Sequence, residues 1–232
     1  MKTLLIAILA TVLVSCAKAP PPEKFSYNED INSIVQIVTD FTHGTGFYLG
    51  DGLIMTAGHV VPERLIVGYL VNESPVYYYI EKGDDTRKNL EVVWRSEFLD
   101  VAICRTRHDH NLVPVKFAEE NAKIGDKIHS IGFPSVLSWT YSFGYVMSEK
   151  IEWTVNYREH YKKIFHGDYF AVCLAGSGGS SGSPIFSEAG TVVGIYNAKL
   201  KDGIVGWGLN LTSLKMALAE WEANNGEGDT SP

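Results

Sequence analysis

The sequence predicts an all-β protein, two packed six-stranded β-barrels followed by a C-terminal helix. Three observations carry that prediction. Short β-branched and aromatic runs are separated by Gly, Asp, Asn and Pro; these runs fall into two series; and only the last stretch reads as helix. No internal repeat is visible, so two series of about six strands each imply two closed barrels packed on one another.

In the first series, Ile34 to Val38, Gly46 to Leu49, Leu53 to Thr56, Leu65 to Val71, Val76 to Ile80, Glu91 to Trp94 and Val101 to Thr106 read as strands. Asp51-Gly52 between two of them is a tight-hairpin signal, because a primed turn needs positive φ. Tyr77-Tyr78-Tyr79 fits a strand with one packed and one exposed face, and Lys82 to Lys88 reads as a mixed-charge, solvent-facing loop. Leu112 to Ala122 connects the two series. Lys127 to Gly132, Ser142 to Lys150, Tyr169 to Leu174, Pro184 to Phe186, Thr191 to Asn197 and Val205 to Leu209 form the second. Trp153 to His166, rich in Tyr, Lys and His, reads as a long surface loop. Thr212-Ser213 can cap a helix in which Leu214, Ala217, Leu218 and Trp221 share one face. The expected limits are a first barrel over about 31–111, a second over about 123–211, a helix over about 212–223 and a disordered acidic tail over 224–232.

The N-terminus differs in kind. Lys2 precedes an apolar run from Leu4 to Val14, interrupted by Thr11, that is short for a membrane span and suits a secretory signal. Leu13-Val14-Ser15-Cys16 resembles the lipobox of bacterial lipoproteins. That resemblance implies a signal peptide over 1–15, cleavage before Cys16, and acylation of Cys16 as the membrane anchor; an uncleaved anchor or a plain signal peptide are the alternatives. Residues 16–30, opening Ala19-Pro20-Pro21-Pro22-Glu23, read as a stiff spacer. The expected location is extracytoplasmic, lipid-anchored to a bacterial membrane.

Charge narrows the partners. The net charge is −7, with no long basic run, which speaks against nucleic acid. Loss of residues 1–15 removes Lys2 and leaves 19 basic against 27 acidic side chains, so anionic headgroups repel the domain and lipid alone would hold it. Cys104 and Cys173 fall in different series and read as two buried thiols.

Three stretches carry the chemistry: Thr56-Ala57-Gly58-His59, Leu99-Asp100-Val101-Ala102 and Gly179-Ser180-Ser181-Gly182-Ser183-Pro184. A serine hydroxyl attacks only when a neutral imidazole takes its proton, and a buried carboxylate orients that imidazole. His59, Asp100 and Ser181 supply these groups in the order His, Asp, Ser. Gly178-Gly179-Ser180-Ser181-Gly182 also fits the nucleophile elbow of α/β-hydrolases, with Ser180 attacking. That class needs a histidine after its serine, and none follows His166. His108-Asp109-His110 reads as a solvated loop; His43, His129, His160 and His166 are scattered, and no metal or cofactor is indicated.

These motifs resemble the trypsin-like serine peptidases, closest to their bacterial Deg-type and glutamyl-endopeptidase-type branches. Gly44-Thr45-Gly46-Phe47, Ile131-Gly132-Phe133-Pro134, Gly144-Tyr145-Val146, Thr191 to Ile195 and Gly206-Trp207-Gly208-Leu209-Asn210 extend the resemblance over most of Ile31 to Leu218. It implies a chymotrypsin-like fold and a serine endopeptidase acting on polypeptides. His59, Asp100 and Ser181 would be catalytic, and the N–H groups of Gly179 and Ser181 would form the oxyanion hole. A catalytically silent binding module and a non-peptide esterase are the alternatives.

Two departures stand out. Ser180 replaces the aspartate that in trypsins pairs with a newly cut N-terminal amine, so no activation of that type is expected. The pocket candidates Ala175, Gly176, Tyr196, Asn197 and Ala198 include no acid to attract Lys or Arg. Small or apolar residues are therefore expected at P1, the position that supplies the cleaved carbonyl. Oligomeric state is not legible.

Overall fold

The computed structural model describes residues 30–225 apart from 40–41, 64, 68–69, 73–74, 97, 136, 138, 152–154, 158–160, 164–166 and 201–203. The leader, Cys16, most of the spacer, His160, His166 and residues 226–232 lie outside the described residues.

A short 3₁₀ turn, Ile31–Ser33, leads into the first eight strands: β1 Ile34–Val38, β2 His43–Gly50, β3 Leu53–Thr56, β4 Leu65–Val67, β5 Leu70–Asn72, β6 Tyr77–Glu81, β7 Asp84–Arg95 and β8 Ala102–Arg105. Six of them close an antiparallel barrel in the order β1-β2-β3-β8-β7-β6, while β4 and β5 pair only with each other. The second series is β9 Lys127–Gly132, β10 Thr140–Ile151, β11 Val155–Tyr157, β12 Tyr161–Lys163, β13 Tyr169–Cys173, β14 Pro184–Ser187, β15 Val192–Lys199 and β16 Val205–Asn210. It closes as β10-β13-β16-β15-β14-β9, again with one separate hairpin, β11-β12. The predicted pair of six-stranded barrels is thus present, and helix α1, Leu211–Asn225, follows.

Many strands read as continuous apolar runs because both of their faces are buried. In β8, Ala102 and Cys104 point into the first barrel while Ile103 joins the core between the barrels. In β15, Val193 and Tyr196 fill the second barrel while Val192 and Ile195 face that shared core. Side chains are therefore sorted between two cores rather than between core and water, with period two along β8 and with that period broken in β15 by a register shift against β14 between Ile185 and Phe186. Ile34, Phe47, Met55 and Val101 from one barrel meet Ile131, Phe133, Phe186 and Leu209 from the other, which fixes the barrels against each other.

The local signals fare unevenly. Asp51 and Gly52 adopt φ of 50° and 74°, the doubly positive turn expected of a tight hairpin. Lys82 to Lys88 is not a free loop: Lys82-Gly83 is a two-residue turn, and Asp84 already pairs with Glu81. Lys88 there reaches Glu81 at 2.5 Å and Asp84 at 3.1 Å, so the charges pair along a hairpin. The run Leu65 to Val71 divides into β4 and β5 and stands outside the barrel. The connector runs from Val113, whose N–H donates to Asn32, to Ala118, whose N–H donates to Val192 in the second barrel.

Helix α1 begins one residue early. Its cap is Asn210, whose side-chain oxygen accepts the Ser213 N–H at 3.1 Å. Ser213 is instead tied to Asp168 and Thr212 to Asn121, contacts that dock the helix. Leu214 and Ala217 are buried, with Leu218 and Trp221 beside them, as the helical spacing requires. Among the described residues no helix is long and apolar enough to cross a membrane.

Candidate active site

His59 lies on a 3₁₀ turn, Gly58–Val60, directly after β3; Asp100 lies just before β8; and Ser181 lies on the turn before β14. Because β3 and β8 pair, with Thr56 opposite Ala102, the first two residues emerge side by side. Gly58 lets the chains close: a Cβ there would sit 3.2 Å from both Asp100 Oδ1 and the Val101 nitrogen. The His59 N–H then donates to Asp100 Oδ1 at 2.9 Å, and His59 Nδ1 meets Asp100 Oδ2 at 2.6 Å. With Nδ1–H committed to the carboxylate, Nε2 is the acceptor nitrogen of the ring.

Burial differs sharply across this pair. The Asp100 side chain is 4% exposed and that of His59 is 36% exposed, so the carboxylate is shielded and the imidazole reaches the surface. Burial pushes the Asp100 carboxyl up, but the His59 charge, its two hydrogen bonds and one from Asn197 outweigh that and hold it below the ordinary value.

The side chain of Asn197, a pocket candidate from the sequence, is engaged with Asp100 and Leu209. Its amide donates to the Asp100 carbonyl at 2.9 Å and to Asp100 Oδ2 at 3.0 Å. Its side-chain oxygen accepts the Leu209 N–H at 3.0 Å, and its backbone carbonyl accepts the Ser181 hydroxyl at 3.1 Å. One buried residue thereby links the aspartate and serine segments.

The serine turn is held from several sides. Ser180 N–H donates to the Ser177 carbonyl at 3.0 Å, while the Ser180 hydroxyl accepts the Ser177 N–H at 3.1 Å. Gly179 has φ of 97°, the positive value a type II turn needs at its third residue, and a Cβ there would lie 2.2 Å from the Phe133 carbonyl oxygen. Ser135 N–H donates to the Gly178 carbonyl at 2.6 Å. In a planar trans peptide the N–H opposes the C=O, so the Gly179 N–H points away from Ser135. Thr45 contributes from the first barrel: its N–H donates to the Ser181 carbonyl at 2.9 Å and its hydroxyl to the Gly179 carbonyl at 2.7 Å.

Thr45, Ser135 and the role of Asn197 are absent from the sequence-based site, although Thr45 lies inside the Gly-Thr-Gly-Phe motif. Of the other pocket candidates, Ala175 is exposed, Gly176 and Ala198 are half-buried, and Tyr196 is buried. Burial pushes the Tyr196 phenol up to about 12, so it stays neutral. His108 and His110 diverge: His108 Nε2 accepts the Asn89 N–H at 3.2 Å, and His110 packs edge-on against Tyr48. Cys104 and Cys173 are each buried, one per barrel, and no disulfide joins them. Burial pushes the Cys104 thiol up to about 12.

Known proteins resemble this chain in sequence and fold. A "Probable periplasmic serine endoprotease DegP-like" of Rhizobium meliloti (strain 1021) is 27% identical over 160 residues, covering 67% of this chain and 27% of the relative. "Magnetosome formation protease MamE" of Paramagnetospirillum magneticum is 26% identical over 157 residues, 67% of this chain and 20% of that protein. The chain thus spans about a quarter of the length of the curated relatives it matches. Among solved structures, an inactive form of Rv3671c from M. tuberculosis H37Rv aligns with a TM-score of 0.70 at 23% identity, covering 94% of this chain and 98% of that one. The serine endoprotease from Yersinia pestis aligns with a TM-score of 0.64 at 18% identity, over 90% of this chain and 69% of that one. These likenesses show the chymotrypsin-like fold. The model of the trypsin-like peptidase domain matches residues 44–195, a span that holds His59, Asp100 and Ser181, and the chain belongs to that family.

Proposed function

We propose that this chain is a serine endopeptidase that cuts polypeptides through an acyl-enzyme on Ser181. The observation that carries the reading is the Asp100–His59 pair, with Nδ1 fixed at 2.6 Å from a buried carboxylate and the imidazole open to solvent. In the first step the Ser181 hydroxyl leaves the Asn197 carbonyl and gives its proton to His59 Nε2 while Oγ bonds to the substrate carbonyl carbon. The oxygen that becomes negative lies on the N–H groups of Gly179 and Ser181, and Asp100 stabilises the imidazolium. The imidazolium then protonates the leaving amine as the C–N bond breaks. Water, activated by the same nitrogen, releases the acyl group and restores Ser181.

The peptidase domain is taken to span 31–223, and the relatives' periplasmic naming together with the apolar leader supports an extracytoplasmic site of action. The lipobox-like Leu13 to Cys16 supports anchoring through an acylated Cys16. One observation favours a silent binding module instead: the Ser181 hydroxyl is engaged with Asn197.

Labelling of the full chain with a fluorophosphonate probe separates these readings. Wild type is expected to label and Ser181→Ala to lose all labelling; equal labelling of both would remove Ser181 as nucleophile, and no labelling of either would favour the silent module. Comparing hydrolysis of unfolded protein with that of small esters separates a peptidase from an esterase. In the same cells, Cys16→Ser is expected to move the protein from the detergent phase to the aqueous phase, and unchanged partitioning would sink the anchor.

A further inference from the structure

The pocket candidates that the family resemblance implies, Ala175 and Gly176 before the serine turn and Tyr196 to Ala198 on β15, would flank a P1 side chain whose carbonyl sits at Ser181. Two glycines, Gly176 and Gly206, lie against the Tyr196 ring. A Cβ on Gly176 would lie 2.4 Å from Tyr196 Oη and 2.7 Å from Cζ, and a Cβ on Gly206 would lie 2.4 Å from Cε2 and 2.5 Å from Oη. The Tyr196 ring is therefore slotted between two bare backbones and occupies the space a deep pocket would need. It is 3% exposed.

The ring is also fixed. Tyr196 N–H donates to the Ser183 carbonyl and its own carbonyl accepts the Gly182 N–H, both at 2.8 Å, so moving its backbone would pull on the serine turn. It shares the second-barrel core with Phe170, Leu174, Ile185 and Val193. Its hydroxyl has no hydrogen-bond partner among the described residues, so bulk, and not a bond to a neighbour, is what the phenol contributes here.

We infer that Tyr196 is the floor of the P1 pocket and restricts cleavage to sites after small residues, Gly, Ala and Ser. The inference rests on the acyl-transfer reading of Ser181. It excludes Phe, Tyr and Leu by volume, and excludes Lys and Arg because no acid accompanies the ring.

The test measures kcat/KM of the full chain on peptides that differ only at P1, with fluorophosphonate titration of active sites. A ratio between two substrates on one enzyme cancels any loss of folded protein, so a destabilised variant remains informative. In a hydrophobic pocket each added or missing methylene changes kcat/KM by about 10–200-fold, so wild type should favour Ala over Phe by at least ~10²-fold. Tyr196→Ala is expected to raise the Phe/Ala ratio by ~10²-fold or more, and Tyr196→Val to raise it less. Tyr196→Phe, which keeps the ring, should leave the ratio within about 3-fold of wild type; a change of one buried hydroxyl alters volume little. A wild type that cleaves after Phe as readily as after Ala, or a Tyr196→Ala protein that titrates and keeps the wild-type ratio, overturns the pocket floor and leaves the peptidase reading standing. A wild type that neither titrates nor cleaves overturns the peptidase reading and this inference with it.

Discussion

Replacing Asn197 with alanine removes three hydrogen bonds from the centre of the site while leaving His59, Asp100 and Ser181 in place. Two were donated to Asp100, at 2.9 and 3.0 Å, and the third satisfied the buried Leu209 N–H at 3.0 Å. A bond to a carboxylate contributes about 1.5–3 kcal/mol, and an unsatisfied buried N–H costs about 1–3 kcal/mol. The terms share partners and do not add, so we expect Asn197→Ala to lose about 3–5 kcal/mol of folding stability. Backbone contacts survive, and the Asn197 carbonyl still faces the Ser181 hydroxyl.

The effect on chemistry follows from Asp100. With one fewer donor, its carboxylate is more basic and less firmly oriented, so it holds the His59 proton more tightly. The acid limb of the acylation rate should then move to higher pH, and the rate at neutral pH should fall about 10–100-fold, or roughly 1.4–2.8 kcal/mol. The assay is the fluorophosphonate labelling rate against pH, at a temperature where urea titration shows the variant folded. A folded Asn197→Ala protein with the wild-type rate and the wild-type midpoint would refute a positioning role for Asn197.

Gly179→Ala forces a side chain onto a residue at φ 97° and within 2.2 Å of the Phe133 carbonyl, so the turn must flip and withdraw its N–H. The flip also breaks the Ser135–Gly178 bond, so labelling is compared where urea titration shows the variant folded; it should drop about 10²–10³-fold, and labelling at the wild-type rate would exclude Gly179 as an oxyanion donor. His129 supplies the pH dependence of stability: burial pushes its pKa down more than Asp30, 3.4 Å away, pulls it up. The unfolded imidazole, at about 6.5, takes a proton before the folded one, so stability is full above that value and is lost as pH falls toward the folded pKa, by at most ~1.4 kcal/mol per pH unit. His129→Phe, stacked on Phe186 as His129 is, should flatten the urea midpoint between pH 7.5 and 5.5, and an unchanged slope would assign the loss elsewhere.

Much of the fold, and the turns that carry His59, Asp100 and Ser181, are legible in the sequence because close approach leaves short-range marks. Gly58 precedes His59 because Asp100 lies against it, and Gly182 follows Ser181 because a Cβ there would lie 2.0 Å from the Thr45 carbonyl oxygen. The hydrogen bonds of Asn197 are not legible in the sequence, because its partners, Asp100 and Leu209, are set by barrel packing and not by neighbours in sequence. Ser135 is not legible for another reason: the bond that fixes the Gly178 carbonyl comes from its backbone N–H, which every residue but proline possesses. Asp84 to Lys88 looked like a loop because an exposed hairpin tip can carry charge on both faces when Lys88 pairs with Glu81 and Asp84.

Ser180 shows how a departure in sequence becomes a change in physical principle. A buried aspartate at this place is tolerable only with a cation beside it, since an isolated buried carboxylate costs several kcal/mol. A turn held that way must wait for its cation. The Ser180 hydroxyl, 7% exposed, needs no counter-charge: it accepts the Ser177 N–H while the Ser180 N–H returns a bond to the Ser177 carbonyl. The turn thus closes on itself over four residues, with Thr45 and Ser135 fixing the Gly179 and Gly178 carbonyls from outside. Both outside contacts come from segments that the core between the barrels positions, through Phe47 on β2 and Phe133 beside Ser135. Barrel docking therefore bears on the serine turn through Thr45 and Ser135, and it bears on Asp100 through Asn197 of the second barrel, whereas the β3–β8 pairing brings out His59 within the first; a perturbation that loosens the Phe47–Phe133 core should reach Gly179 and Asp100 before it reaches His59.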